Sequence, residues 1–338
     1  MKSIPLPAYA DLPVAADRPA GSSWGVWGPD DDLGTLNLLS DERTLGALRH
    51  VRSGRVFNLG LPLHEPRRNA ASRRSNPVHQ ILYVGHEKHD FQPGLGDDLS
   101  TGSVGRDDYL ETLWLQGSTQ WDGLAHFRHP EHGNYNGVAD ADIHGEEGAR
   151  LGVDRWAERG VVGRAVLADV ARWRAAKGRP LDPTGHDVIT VADLASTLEA
   201  QGTVVEPGDV LLLRTGWVGH LMAQDDAERE RLIEPRNQAN PGLDNREEMA
   251  AYLWDLHLAA LAADNLTVEA FPTDDPTLAF QLHARLLPLL GLPLGELWVL
   301  DPLADACAER GDHAFLLVSV PLHVRGGLGS PAQAVAIT

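Results

Sequence analysis

The side chains best able to bind an ion or move a proton are concentrated near the middle of the chain. The segment Gln116-Gly-Ser-Thr119-Gln120-Trp121-Asp122-Gly123-Leu124-Ala125-His126-Phe127 holds a carboxylate, an imidazole and two amides within a dozen residues. On a strand followed by a turn, groups at such spacing can converge on one point. An oxygen-rich set with a single imidazole suits a hard or borderline divalent ion such as Mn²⁺, Mg²⁺ or Zn²⁺. A polar loop with a satisfied histidine would read the same way, and the segment alone does not decide between the two. Further downstream stand His283, Glu296 and the pair Asp264-Asn265. Each is equally readable as a surface, capping or turn residue.

Other catalytic classes are excluded by what the chain lacks. No Gly-x-Ser-x-Gly nucleophile elbow and no dinucleotide-binding glycine fingerprint occurs. The Gly-rich pieces HGNYNG and GGLGS do not sit at a strand-to-helix junction with phosphate-loop spacing. The one cysteine, Cys307, permits neither an internal disulfide nor a cysteine zinc site, and reads as a buried thiol in a helical segment. Metal-assisted or acid–base chemistry remains.

The elements that must position these groups are legible from periodicity and punctuation. Helices are expected over 40–51, with Ser40 as cap, over 191–201, with Thr190 as cap, over 247–256 and over 278–290. Strands are expected at 55–63, 80–84, 110–115 (leading into the central motif), 165–170, 210–213, 259–263, 297–300, 314–321 and 332–337. Glu296 would then open a strand, and His283 would lie on a helix. Strands and helices mixed in this order predict one α/β domain with a mixed sheet. Residues 1–23, rich in Pro and Ala, read as an extended arm suited to subunit contacts, and 24–338 as the domain. Residues 65–107 read as long functional loops.

The chain has 338 residues, 43% of them apolar, and a net charge of −19. Such acidity disfavours nucleic acid and anionic membranes as partners. It leaves room for a small anionic substrate, because the charge of a cleft can differ from that of the whole. The start of the chain carries no apolar signal-peptide core, and no apolar run reaches membrane-spanning length. The expected location is the cytoplasm.

The ordered motifs resemble the putative cyclase family, which includes arylformamidase-like (kynurenine formamidase-like) and isatin-hydrolase-like metal-dependent hydrolases. The family hallmark is His-x-Gly-Thr-His-x-Asp-x-Pro-x-His. Laid on it, Thr119, Asp122 and His126 match. Gln116 and Gln120 stand where the first two histidines belong, Ser118 replaces the glycine and Leu124 the proline. LLLRTGW at 211–217, PGL at 241–243, the acidic strand end at Asp264, the His283 and Glu296 pair, and the tail PLHVRGGLGSPAQAVAI extend the likeness over 24–338. Gln-Trp-Asp in place of His-x-Asp marks a distinct branch.

The resemblance implies a swivelling β/β/α, cyclase-like fold and a homodimer or homotetramer. It implies one divalent ion, Mn²⁺ or Zn²⁺ with Mg²⁺ as a third candidate, held by Gln120, Asp122, His283 and Glu296, with Gln116 as a further donor. His126 is the implied acid–base group, assisted by Asp122. Losing two imidazoles should weaken Zn²⁺ binding and favour Mn²⁺ or Mg²⁺. Trp27, Trp121, Phe127 and Tyr135 are candidate walls of an apolar pocket, and equally candidate core. The expected reaction is hydrolysis of a cyclic amide, a lactone or an N-formyl amide. Two alternatives stay open: a lyase, dehydratase or cyclase on the same site, and a metal-free binding protein. Of the other histidines, His79, His86 and His89 fall in the loop-rich region, and His129, His132 and His144 follow the motif.

Overall fold

In the computed structural model, residues 6–68, 72–84, 105–143 and 149–338 are described. His86, His89, His144 and residues 85–104 of the expected loop 65–107 lie outside them.

The strands, in chain order, are β1 (Val56–Asn58), β2 (Val78–Val84), β3 (Gly105–Glu111), β4 (Gln120–Asp122), β5 (Val161–Asp169), β6 (Val188–Ile189), β7 (Val210–Arg214), β8 (Gly242–Leu243), β9 (Ala260–Ala263), β10 (Leu294–Glu296), β11 (Ala314–Ser319), β12 (Gly329–Pro331) and β13 (Ala334–Ile337). Nine of them form one sheet in the order β1-β13-β11-β5-β7-β9-β10-β4-β12. β5, β7, β9 and β10 run parallel to one another, and the remaining pairs are antiparallel. The sheet is mixed, as expected. Its central strands VLLLR and ALAA are buried on both faces, which is why they read as continuous apolar runs rather than alternating ones.

Local signals hold at several helix ends. Ser40 caps the helix Asp41–Ala47, its side chain accepting from the Arg43 N–H. Thr190 and Asp193 form a reciprocal capping box on the helix Val191–Ala200. Three expectations are corrected. The apolar run at 110–115 does not lead into the central motif. β3 pairs with β2 in a separate two-stranded ribbon, Thr112 turns to φ +57°, and a new strand begins only at Gln120. The run at 297–300 is not a strand either. Leu297 adopts φ +59° and its N–H turns to Asn265, while Trp298 N–H bonds Ala263. Glu296 therefore ends β10 instead of opening a strand. The helix expected over 278–290 shrinks to Gln281–Leu286, because Phe280 sits at φ +56° before it and Pro288 follows.

The start of the described N-terminal arm, at Pro7 and Tyr9, lies on this chain's own helix Glu247–Asp255. Trp254 Nε1 donates to the Pro7 carbonyl at 2.9 Å, and the Tyr9 N–H donates to Asp255 at 2.7 Å.

Asp264, at the end of β9, is fully buried. It accepts from the N–H and hydroxyl of Thr215 and from the Gly216 N–H, at 2.6–2.8 Å. The RTGW turn and the acidic strand end are thus two halves of one contact that closes the parallel strands β7 and β9.

Replacing Thr190 with Ala removes one half of the capping box. The expected cost is about 1 kcal/mol of stability, read as a lower urea midpoint at unchanged slope.

Candidate metal centre

β4 is only three residues long, and it is held on both sides. It pairs with β10 through Asp122↔Leu294 and Gln120↔Glu296, and with β12 through Asp122↔Gly329. The loop before it is pinned as well. Thr119 Oγ1 accepts from Leu61 N–H and donates to the Leu297 carbonyl. Alternation along β4 then sends Gln120 and Asp122 to one face and Trp121 to the other. Glu296, directly opposite Gln120, shares the face of the carboxylate.

On that face the ligand atoms of Asp122, His283 and Glu296 lie within 4.8 Å of one another, and all three residues are buried. His283 Nε2 stands 3.3 Å from Glu296, and its Nδ1 is hydrogen-bonded to the buried Glu269 carboxylate at 2.5 Å. A carboxylate on Nδ1 fixes the ring and leaves Nε2 toward the cluster, the arrangement found behind metal-ligating histidines. Burial opposes a charge on His283, but Glu269 and Glu296 outweigh it and raise its pKa well above the ordinary value. Burial raises the Asp122 pKa to about 6, against the pull of His126. The His283 shift reflects the negative charge around it, and the Asp122 shift chiefly its own burial.

The residues present fit a divalent ion. Two carboxylates and an imidazole converge, and the same face carries Gln120 Oε1, which is buried without a hydrogen-bond partner. The Gln120 amide nitrogen bridges Glu296 at 2.7 Å and Asp122 at 3.3 Å. Turning that amide over would offer its oxygen where the nitrogen now stands.

His126 lies beside the cluster, with Nε2 at 3.6 Å from Asp122. Burial lowers its pKa, partly countered by Asp122. Gln116 is not brought to the ligand cluster. Its amide contacts His126 Nδ1 at 3.3 Å. An amide can donate to that nitrogen or accept from it, so Gln116 supports either tautomer. With Nδ1 protonated, Nε2 is the basic atom facing Asp122.

Of the four aromatic candidates, only Phe127 borders the site, with its ring centroid 5.6 Å from His283. Trp121 is fully buried on the opposite face, edge-on to Trp298 and bonded to Ser319. Tyr135 is fully buried and donates to Asp31 at 3.0 Å. Trp27 packs edge-on to Trp254. These three belong to the packing rather than to a pocket wall. In their place stand Phe280, 6.1 Å from His283, and Phe271, stacked on Phe280 at 5.2 Å. Neither these two rings nor Glu269 stands near the central motif in sequence. The fold alone brings them to it. Elsewhere, His79 pairs with Asp108 on the exposed ribbon, and His129 and His132 stack on each other at 4.6 Å.

The model of the family described as putative cyclase matches residues 58–270, more than half of the chain. This chain belongs to the cyclase family. A crystal structure described as a novel cyclase is 32% identical, with a TM-score of 0.76, covering 94% of this chain and 99% of its own. An isatin hydrolase bound to the product analogue thioisatinate is 18% identical with a TM-score of 0.55, covering 89% and 99%. Isatin hydrolase A from Labrenzia aggregata, bound to benzyl benzoate, is 15% identical with a TM-score of 0.54, covering 83% and 93%. At these identities the two hydrolases share the fold. No curated protein matches. Among the described residues of this cyclase-family chain, no helix is long and apolar enough to cross a membrane.

Glu269→Gln keeps the shape of the side chain behind His283 but removes its charge. Metal affinity should fall about 10–100-fold, measured by titrating the metal-stripped protein with Mn²⁺ and Zn²⁺.

Proposed function

We propose that this cyclase-family protein is a metal-dependent hydrolase that opens a cyclic amide or lactone, or cleaves an N-formyl amide. The observation that carries this reading is the buried convergence of Asp122, His283 and Glu296 with His126 beside it. Asp122, His283, Glu296 and the Gln120 carbonyl would hold the ion. This oxygen-rich set favours Mn²⁺, with Zn²⁺ and Mg²⁺ as alternatives. When bound, such an ion polarises a carbonyl and lowers the pKa of water.

The chain's own groups supply the rest. Glu269 fixes the His283 ring so that Nε2 serves the cluster. Asp122 and Glu296 bring the negative charge that makes a cation welcome in a buried site. His126, kept largely neutral by burial, takes a proton from water at Nε2 and returns it to the departing nitrogen or oxygen. Phe127, Phe271 and Phe280 present an apolar wall against which a planar ring can lie.

One observation favours a second reading, a metal-free binding protein. The Gln120 amide nitrogen already bridges the two carboxylates, and His283 lies between Glu269 and Glu296. Elemental analysis of the purified protein beside Asp122→Asn separates the two. The hydrolase reading expects about one ion per chain in the wild type and its loss in the variant. No metal in either protein would favour the binding role.

His126→Ala should lower kcat by about 10²–10⁴-fold with metal content unchanged. Substrates are to be sought among lactones, imides and formamides. Solvent oxygen-18 should enter the product; its absence would point to a lyase or cyclase on the same site.

A further inference from the structure

A cavity of about 360 Å³ lies between Arg68, Ser72 and Arg73 on one side and, on the other, the end of the helix Asp226–Ile233 with the residues that follow it. Its lining residues include Arg68, Arg73 and Arg236, Ser72, and Glu230 and Glu234. Arg236 is already paired with Glu234 at 2.8 Å. Among the described residues, Arg68 and Arg73 form no ion pair, and Arg68 Nε is buried without a partner. In a chain of net charge −19, a cavity with this balance of charge is a local reversal of sign.

The cavity is tied to the metal centre through its arginines, since Arg68 interacts electrostatically with Glu296 and Arg73 with His126. Arg68 Nη2 donates to the Gly117 carbonyl at 3.3 Å, and the neighbouring Arg74 Nη1 donates to the Gln116 carbonyl at 2.8 Å. Gln116 is the residue whose amide holds His126 Nδ1. Arg68, and Arg74 next to Arg73 in the chain, are thus fastened to the loop that leads into β4. Burial, with the like charge of Arg74, lowers the Arg68 pKa to about 10, and only Glu296 opposes that shift. A planar anion in the cavity would supply the missing counter-charge. A carboxylate matches the fork of a guanidinium in shape as well as in sign.

We propose that this cavity is a subsite for a carboxylate carried by the substrate, gripped by Arg68 and Arg73 while the scissile carbonyl lies at the metal centre. The inference rests on the hydrolase reading for its meaning. It adds a substrate class: a ring or amide bearing a separate carboxylate, with the ring toward Phe127 and Phe280.

The test is equilibrium binding, which needs no turnover. Benzoate and its neutral counterpart benzamide would be titrated, with calorimetric or NMR readout, into the wild type, Arg73→Gln, Arg68→Gln/Arg73→Gln and Asp122→Asn. Arg73 is exposed, so its single variant remains informative if the double variant does not fold. Benzoate should bind about tenfold more tightly than benzamide in the wild type. That preference should vanish in the arginine variants and survive in Asp122→Asn. A preference unchanged by Arg73→Gln and by the double variant would overturn the proposal. So would a preference lost in Asp122→Asn, which would put the carboxylate on the metal ligands instead. A protein without metal that still shows the arginine-dependent preference would sink the hydrolase reading and leave the anion subsite standing.

Discussion

Three buried carboxylates, Asp122, Glu269 and Glu296, crowd around one imidazole, and the site is organised by the need to compensate them. Unpaired charge in a low-dielectric interior is costly, and like charges at this range resist joint ionisation. The chain answers in two ways. His283 stands between Glu269 and Glu296, and the Gln120 amide turns its donors to Asp122 and Glu296. Neither is a full answer, since an imidazolium and an amide dipole carry less positive charge than three carboxylates carry negative. A divalent ion, as proposed above, would meet the residual demand.

The scaffold delivers these groups without any one segment holding them all. Register between β4 and β10 sets Glu296 opposite Gln120. The helix Gln281–Leu286 ends early, before Pro288, and His283 near its start is within reach of Glu269. The contact of Asp264 with Thr215 and Gly216 closes β7 onto β9, and β9 in turn carries β10. Family motifs that look unrelated in sequence thus serve one end: holding the parallel strands so that the antiparallel strand beside them meets its partners in register.

Much of this was legible before the structure. Ser40 and Thr190 announced helix starts through chemistry confined to three or four residues. The central strands announced themselves as unbroken apolar runs. Asp122, His126, His283 and Glu296 could be named because the ordered motifs were recognisable together. What escaped has a common cause. Glu269, Phe271 and Phe280 act across the fold, and nothing within a short window distinguishes them from ordinary loop residues. Trp121 and Tyr135 were ambiguous because an aromatic side chain looks the same in a core as in a pocket wall; only the face on which β4 presents Trp121 resolves it. The strand expected at 297–300 failed because a buried apolar run can also be a turn, and Leu297 makes one.

The alternation along β4 reaches beyond the site itself. Trp121 anchors the core from the strand whose two neighbours build the metal centre, so the two functions are interleaved at a spacing of one residue. A shift of pairing by a single residue would bury the carboxylate against Trp298 and turn the indole into the site. Exchanging the side chain at Gln116 or Gln120 would leave this register intact, whereas adding or removing one residue in β4 would invert it. The chemistry of the site can thus be altered by what each position of β4 bears, while the count of residues along the strand is fixed by the packing of Trp121.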